Sequence, residues 1–298
     1  MKKIVAVFVC ICILFTLVAC KNNPNNNGQN NNSSNQQTVK EAGSDTKLKR
    51  DGTYKKYFTL GLDDGITQDE RIIEILKKYN APCATFFINT GLLGKNMTME
   101  VSLQENNMVS HVRYTEEEIK SGIYDGFDLE CHSYSHTLLQ GLDNNPEQVK
   151  TEIMLDVQNI IKFSGYKPIG LAYANEGTTI TTKTIDNILE QTNIRFARTT
   201  TTTNSFKLPS NFMKWNPTCA IVDKNLLGIA QSFLDTEPTD SDMLFYAWGH
   251  GYNLDSSDYW DEFEALIKML AEDGNVVFVT NAEFYQLFKD QIPSKGSK

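Results

Sequence analysis

The sequence predicts an α/β protein folded as a closed or distorted (β/α) barrel of about seven strands. From residue 54 onward, short apolar runs typical of buried strands alternate with amphipathic segments typical of helices. Strands that alternate with helices predict a parallel sheet with right-handed crossovers. About seven such units within about 240 residues favour a barrel over an open sheet.

The first strand, the first helix and the second strand follow from clear local patterns. Tyr57–Leu62 is an apolar run that ends at Asp63-Asp64-Gly65, as expected for a strand followed by a turn. Within Gln68–Tyr79, isoleucine and leucine recur among charged side chains at the spacing of an amphipathic helix. Ala84–Ile88 is again apolar and rich in aromatic residues, which predicts the second strand.

The same alternation continues through the rest of the chain. The amphipathic segments predict helices over Glu116–Ser121, Pro146–Phe163, Thr181–Gln191, Leu226–Phe233 and Tyr259–Glu272. The apolar runs predict strands over Gly126–Cys131, Ile169–Tyr173, Arg195–Arg198, Met243–Trp248 and Val276–Thr280. We therefore assign residues 54–290 to one domain and residues 291–298 to a C-terminal tail.

The N-terminus has the parts of a secretion signal. Lys2 and Lys3 precede the apolar run Ile4–Val18, which is short for a membrane span of about 20 residues. The segment Leu17–Cys20 resembles a bacterial lipobox, in which the cysteine is lipidated and becomes the mature N-terminus. An uncleaved anchor helix with an incidental cysteine is the alternative. We expect a signal peptide over residues 1–19 and a lipid anchor on Cys20 at the extracytoplasmic face of the bacterial cell membrane.

Residues 20–53 are dominated by Asn, Gln, Ser and Lys, which bury little apolar surface. They are predicted to form a disordered tether between the lipid and a monomeric domain. The cysteines beyond the tether are too few and too scattered for a disulfide framework, and each is expected to be a small buried residue: Cys83, Cys131 and Cys219.

The charge of the chain indicates which partners it suits. The formal charge is −9, and it becomes −11 without residues 1–19, whose only charged side chains are Lys2 and Lys3. No basic stripe is visible, and phosphate contacts need clustered Lys and Arg, so nucleic acid is not expected as a partner. A neutral or weakly charged substrate suits the domain better.

Polar side chains that could carry chemistry follow several predicted strands. Asp63 and Asp64 follow the first strand, His132 and His136 follow the strand that ends at Cys131, and His250 follows Met243–Trp248. In a (β/α) barrel, active sites lie where strands end and loops begin. The remaining histidine, His111, lies in a polar stretch and is expected at the surface.

Two histidines four residues apart point the same way if their loop turns helical, and could then share a metal. A carboxylate as third ligand leaves a fourth position open for water, as in catalytic sites. By spacing alone the histidine pair is weak evidence, and two adjacent aspartates at a turn are often only a turn-forming pair. Their occurrence together at strand ends strengthens both interpretations.

These motifs resemble those of the polysaccharide deacetylase family, the NodB-homology enzymes of carbohydrate esterase family 4. The resemblance covers about residues 54–290 and rests on Asp63-Asp64-Gly65, on His132-Ser133-Tyr134-Ser135-His136 and on His250. It implies a distorted (β/α) barrel, a divalent metal and N-acetylated sugar substrates. His₂Asp ligation suits Zn²⁺, and Co²⁺ or Ni²⁺ would also fit.

The resemblance also implies roles for single residues. The metal ligands would be Asp64, His132 and His136. Asp63 would be the catalytic base and His250 the general acid, and the backbone N–H of Tyr173 would help to hold the oxyanion.

The third motif of the family is altered here. Residues 172–177, Ala-Tyr-Ala-Asn-Glu-Gly, lack the arginine that orients the base aspartate in many relatives. Arg198, at the end of a later strand, could take this role, and a structural ion pair is the alternative. Trp215 and Trp248 could line a sugar-binding groove; a core position is the alternative for either, and it is favoured for Trp248, which lies within a predicted strand.

The sequence therefore favours a hydrolase that removes acetyl groups from a GlcNAc-containing glycan such as peptidoglycan or poly-N-acetylglucosamine. An O-acetyl polysaccharide esterase would use the same residues. A non-catalytic glycan-binding lipoprotein is the third possibility, and it would have no need to keep the metal ligands, the base and the acid together.

Overall fold

The computed structural model describes residues 39–100, 108–174 and 179–295. The predicted signal peptide, Cys20 and most of the predicted tether lie outside these residues. None of the helices in the described ranges is long and apolar enough to cross a membrane.

Strands and helices alternate along the described chain. The strands are β1 Lys56–Asp64, β2 Ala84–Ile88, β3 Asn96–Glu100, β4 Met108–Val112, β5 Asp128–Cys131, β6 Gly170–Ala172, β7 Phe196–Arg198, β8 Cys219–Ala220, β9 Met243–Gly249 and β10 Val276–Phe278. The helices are α1 Asp69–Lys78, α2 Glu116–Lys120, α3 Pro146–Ser164, α4 Thr182–Gln191, α5 Leu226–Asp235, α6 Gly251–Ser257, α7 Trp260–Asp273 and α8 Asn281–Phe288.

The main sheet is parallel and has the strand order β7-β6-β5-β2-β1-β9-β8. β10 is added beside the first half of β1, where Lys56–Phe58 pair with Val276–Phe278, and β2 takes the second half from Leu60 onward. All nine residues of β1 are buried, as expected for the central strand of a parallel sheet covered on both faces. β3 and β4 form a separate antiparallel hairpin.

The two edges of the main sheet are joined through one irregular segment, residues 215–220. At β7, the Trp215 N–H donates to the Ala197 carbonyl at 2.9 Å, and the Thr199 N–H donates to the Trp215 carbonyl at 3.0 Å. Further along the segment, Cys219 pairs with Ala247 of β9. The sheet is therefore a strongly curled, distorted (β/α) barrel, which confirms the predicted fold class.

Alternation along the strands divides their side chains between two clusters. Phe58, Leu60 and Leu62 of β1 belong to the larger cluster, which also contains apolar residues of α1, α3 and α7. Tyr57 belongs to the second cluster, together with aromatic residues of β7, β9 and α8. Because successive strand side chains point to opposite faces, Asp63 lies on the same face of β1 as Tyr57, toward the barrel interior.

The three cysteines beyond the tether behave as predicted. Cys83, Cys131 and Cys219 are buried and form no disulfide. Burial raises the pKa of Cys219 to about 12 and raises the pKa of the other two thiols as well. They are therefore packing residues rather than nucleophiles.

The prediction of a disordered tether is wrong for residues 39–53. Ala42 is buried, its N–H donates to the Lys167 carbonyl at 2.9 Å, and Arg50 forms an ion pair with Asp242 at 2.6 Å. The predicted C-terminal tail is also held on the domain, because the Phe212 N–H donates to the Pro293 carbonyl at 2.9 Å. The folded unit therefore extends at both ends beyond residues 54–290.

Replacement of Gly43 by alanine is expected to destabilise the domain more than the same change at Gly52. Both glycines have positive φ, +68° and +88°, so each alanine carries a backbone strain of about 1–2 kcal/mol. At Gly43 the new Cβ would also lie 2.6 Å from the carbonyl carbon of Ala282 in α8, whereas nothing lies within 4 Å at Gly52. The forced displacement costs a further 1–3 kcal/mol or so. Denaturant unfolding of both variants measures the difference, and equal losses would contradict the contact with α8.

Candidate active site

The predicted site residues meet at one end of the barrel. Asp63 and Asp64 close β1, His132 directly follows β5, Arg198 closes β7 and His250 directly follows β9. These strands are parallel, so their carboxyl ends lie on the same face of the sheet.

Asp64, His132 and His136 form a possible metal site. Their ligand atoms all lie within 4.8 Å of one another. Asp64 Oδ1 is 4.0 Å from His132 Nε2 and 3.8 Å from His136 Nε2, and the two imidazole rings meet edge to face. Two imidazole nitrogens and one carboxylate oxygen are the ligand types of catalytic zinc sites, so these residues fit the divalent metal that the sequence predicts.

The environment of His132 prepares its Nε2 atom for a ligand. Its Nδ1 atom lies 2.8 Å from the Ala172 carbonyl, which can only accept, so Nδ1 carries the proton. Nε2 then bears the lone pair, and this buried atom has no hydrogen-bond partner among the described residues. The Asp156 carboxylate accepts from the His132 N–H at 3.1 Å and thereby anchors the backbone. A second ring nitrogen held by a carbonyl is typical of metal-bound histidine.

The histidine pair converges without the helical loop that the spacing required. Ser133 and His136 have positive φ, +63° and +59°, so the loop is a left-handed turn and not a helix. Asn89 supports this turn, because its Nδ2 donates to the carbonyls of His132 and Ser133 at 2.7 and 2.8 Å. Burial lowers the pKa of His136 to about 4, and the neighbouring His132 acts in the same direction. The His136 ring is therefore neutral at pH 7, as metal ligation requires.

His111 is not at the surface, as predicted, but lies buried beside Asp64. Its Nε2 atom is 2.9 Å from Asp64 Oδ2, and Arg113 Nη2 donates to Asp64 Oδ1 at 3.0 Å. Burial is the largest single effect on the pKa of Asp64 and would raise it, but the hydrogen bond from His111 and the charges of His250, His132 and Arg113 together outweigh burial. The pKa of this carboxyl therefore lies well below its ordinary value, and Asp64 is ionised.

Asp69, on the first turn of α1, shows the opposite behaviour. It is fully buried, and burial raises its pKa well above the ordinary value, helped by the charges of Asp63 and Asp64. Hydrogen bonds from Tyr124 at 2.7 Å and from the Ile66 N–H at 3.2 Å oppose the rise without cancelling it. The folded state thus retains a proton that the unfolded chain releases at a pH of about 4.

Asp69→Asn is expected to remove part of the pH dependence of stability. Because the folded pKa is raised, the contribution of Asp69 to the free energy of unfolding is fully present below pH ~4 and is lost as the pH rises toward the folded pKa of Asp69. The asparagine variant does not titrate here, so its stability relative to the wild type should increase from pH 4 to pH 8. Denaturant unfolding at both pH values measures this, with exposed Asp240→Asn as control. A constant difference between wild type and variant would contradict the buried neutral carboxyl.

Arg198 lies against the predicted base. Its Nη2 donates to Asp63 Oδ2 in a short contact, and its side chain is fully buried. The guanidinium carbon lies 4.4 Å from the ring centroid of Trp248, which supports it from one side. Asp63 Oδ1, by contrast, has no hydrogen-bond partner in the described part of the chain.

His250 lies on the other side of Asp63. Its Nε2 is 3.8 Å from Asp63 Oδ2, the same separation as His132 Nε2. The His250 Nδ1 atom is 3.0 Å from the side-chain oxygen of Asn253, an arrangement that places a proton on Nδ1. Tyr252, which the sequence analysis did not single out, stacks on the His250 ring at 4.7 Å.

Two sequence predictions about this face of the barrel are wrong. The Tyr173 N–H donates to the Arg198 carbonyl at 3.1 Å as part of the β6–β7 pairing, so it is not available for an oxyanion. Trp215 is fully buried among aromatic residues that include Phe196 and Tyr246, so it is a core residue and lines no groove. Trp248 is partly exposed and remains beside Arg198 and His250. Residues 175–178 of the altered third motif lie outside the described ranges.

The sequence analysis did not assign three residues to the site: His111, which it placed at the surface, and Arg113 and Tyr252, which it did not mention. Val109, His111 and Arg113 are buried while Met108 and Ser110 are exposed. Burial at every second residue is typical of a half-buried strand. Two of the buried residues, His111 and Arg113, are polar, so the sequence lacks the alternation of apolar and polar residues that would predict this strand.

The chain is similar to known proteins in sequence and in fold. A family model described as polysaccharide deacetylase matches residues 50–197. A search of curated proteins returns no significant match.

Among solved structures, the chain is similar to a family 4 acetyl xylan esterase from Clostridium thermocellum in complex with a cobalt ion. The two sequences are 16% identical, the alignment covers 80% of this chain and 94% of that chain, and the TM-score is 0.48. The peptidoglycan deacetylase PdaC from Bacillus subtilis is 20% identical, with 80% and 93% covered and a TM-score of 0.46.

Proposed function

Because residues 50–197 place the chain in the polysaccharide deacetylase family, we propose that it is a metal-dependent hydrolase that removes acetyl groups from an N-acetylated polysaccharide. The observation that carries the proposal is the position of Asp63. Its Oδ2 atom lies 3.8 Å both from a metal-ligand histidine and from His250, so a base, an acid and a possible metal site meet within one reacting volume.

Asp64, His132 and His136 would hold the metal, and zinc is the cation we propose because neutral imidazole and carboxylate suit it. When bound, such a cation polarises the acetyl carbonyl and makes water more acidic. The burial of Asp64 and His132 keeps bulk water from these atoms.

Asp63 would take the proton of the attacking water. Arg198 occupies Oδ2, which leaves Oδ1 as the atom without a partner among the described residues. Oδ1 is therefore the oxygen that can accept the proton, while the guanidinium fixes the plane of the carboxylate. Each well-placed acid or base contributes about 10²–10⁴-fold to a rate.

His250 would supply a proton to the departing nitrogen from Nε2, in the form of the ring that is protonated on both nitrogens, because Asn253 accepts the proton on Nδ1. An amine is a poor leaving group, so cleavage of the C–N bond needs a proton donor. Asn253 holds Nδ1 of the ring, which turns Nε2 toward Asp63 and the reacting volume. Water adds to the carbonyl carbon, the C–N bond breaks, and the products are acetate and the free amine of the sugar.

We also propose that Cys20 anchors the enzyme by a lipid at the outer face of the cell membrane, where cell-wall glycan is within reach. The lipobox-like segment Leu17–Cys20 supports this. Incorporation of a labelled fatty acid into the wild type, absent from Cys20→Ala, is the expected result. Labelling of both chains would rule out this cysteine.

Acetate release by the full-length chain from N-acetylglucosamine oligomers tests the function, with zinc, cobalt or a chelator and with His132→Ala as the control. We expect metal-dependent acetate that the control abolishes. Acetate from O-acetylated xylan alone would instead assign an O-acetyl esterase. Zinc binding without acetate from either substrate would contradict the enzyme and favour a glycan-binding protein.

A further inference from the structure

The β3–β4 hairpin is attached to the turn that carries the metal-ligand aspartate. The Thr67 N–H donates to the Val112 carbonyl at 2.9 Å, and the Tyr114 N–H donates to the Gly65 carbonyl at 3.1 Å. Ile66 and Arg113 thereby form an antiparallel bridge. These backbone bonds set the register between the hairpin and the residues directly after Asp64.

This register places two polar side chains of the hairpin on the Asp64 carboxylate. His111 and Arg113 are two residues apart, so they point to the same side of the strand. Both are buried, with exposed fractions of 3% and 5%. His111 Nε2 is 2.9 Å from Oδ2, and Arg113 Nη2 is 3.0 Å from Oδ1, so each carboxylate oxygen has its own hairpin partner.

The tautomer of His111 follows from its second contact. Arg113 Nη1 lies 3.4 Å from His111 Nδ1, and a guanidinium can only donate. Nδ1 is therefore the acceptor, and Nε2 carries the proton that it donates to Asp64 Oδ2. This bond leaves Oδ1 as the oxygen that faces His132 and His136, at 4.0 and 3.8 Å.

We propose that His111 and Arg113 are positioning residues that set the metal affinity of Asp64 in opposite directions. This inference rests on the metal site of the proposed function. His111 strengthens binding, because its hydrogen bond to Oδ2 holds the carboxylate with Oδ1 toward the two histidines. Arg113 weakens binding, because its permanent positive charge lies 3.0 Å from the same Oδ1 that a cation would use.

Arg113 also assists His111, but this contribution is the smaller one. The contact from Arg113 to Nδ1 is long at 3.4 Å, and Asp64 keeps the proton on Nε2 without it. The repulsion between the guanidinium and a divalent cation has no comparable compensation. Removal of the charge at position 113 should therefore tighten metal binding.

Zinc titration of the full-length chain against a chromophoric chelator tests both roles through the dissociation constant, without use of activity. Arg113→Gln should bind zinc about tenfold more tightly, while Arg113→Lys, which keeps the charge, should stay near the wild type. His111→Leu should bind about 10–100-fold more weakly. His111→Gln, which keeps an N–H at the same distance from the backbone, should recover most of the affinity.

The outcomes separate this inference from the proposed function. Equal or weaker zinc binding by Arg113→Gln, or equal binding by the two His111 variants, would overturn the inference. Zinc binding absent from the wild type would overturn both. The expected order of affinities without acetate release would support the hairpin roles while contradicting the deacetylase. Arg113→Met serves as a second neutral variant if the glutamine chain fails to fold, and the unfolding transition of each variant checks its structure.

Discussion

Asparagine in place of Asp63 is expected to lower the rate of acetate release by about 10²–10⁴-fold, the range of a single acid or base. The amide has no lone pair basic enough to take the proton of water. Its oxygen can still accept from Arg198, whose Nη2 contacts Asp63 Oδ2 in the wild type. The expected loss is therefore in turnover, with little change in the affinity for zinc.

Steady-state acetate release, together with zinc titration of the same sample, measures both parts of this prediction. His132→Ala is the matched control, because it should lose zinc and activity together. A chain with asparagine at position 63 that retains more than about a tenth of the wild-type rate would show that another group takes the proton.

Methionine in place of Arg198 is expected to cost about 3–5 kcal/mol of stability, besides most of the activity. Arg198 has an exposed fraction of 0% and Asp63 of 2%, so the change leaves a carboxylate buried without its charge partner. The carbonyl of Thr199 also loses the hydrogen bond from Arg198 Nη1 at 3.1 Å. The mispositioned base should lower turnover to a level near that of the Asp63 variant.

The double variant Asp63→Asn with Arg198→Met separates the ion pair from simple loss of packing. With no charge left unpaired, its free energy of unfolding should exceed that of the Arg198 variant alone, although two residues are changed. Denaturant unfolding of the wild type and the three variants completes the cycle. Strictly additive losses would assign Arg198 a packing role only, and wild-type activity in the Arg198 variant would exclude it from orientation of the base.

Local patterns were sufficient for most of the fold. The buried face of α1 and the wholly apolar β2 follow from residues within one turn or one strand, and their bounds agree with the prediction to within a residue. The β3–β4 hairpin, β8, α6 and α8 were not predicted. β4 carries His111 at an inward position, and α6 is a seven-residue helix that begins directly after His250, so neither has an ordinary apolar period.

Contacts between distant parts of the chain explain the errors at the site. Tyr173 was expected to offer its N–H to a reaction intermediate, but β6 pairs with β7 and the Arg198 carbonyl takes that N–H. Trp215 was expected in a groove, but its segment closes the barrel between β7 and β9 and its ring is enclosed. Strand order decides both outcomes, and periodicity along the chain carries no information about it.

The sequence by itself determined that Asp63, Asp64, His132, His136 and His250 end or follow strands, because strand ends are local features of the chain. The order of these motifs also predicted the resemblance to the polysaccharide deacetylase family, whose model matches residues 50–197. Only the tertiary structure decided which side chains donate hydrogen bonds to the two aspartates. Arg198 reaches Asp63 across 135 positions of sequence, and Arg113 reaches Asp64 across 49. Such pairs form because the barrel register and the hairpin bring separate segments of the chain together. The buried carboxylates of Asp63 and Asp64 are stabilised there because each has an arginine partner.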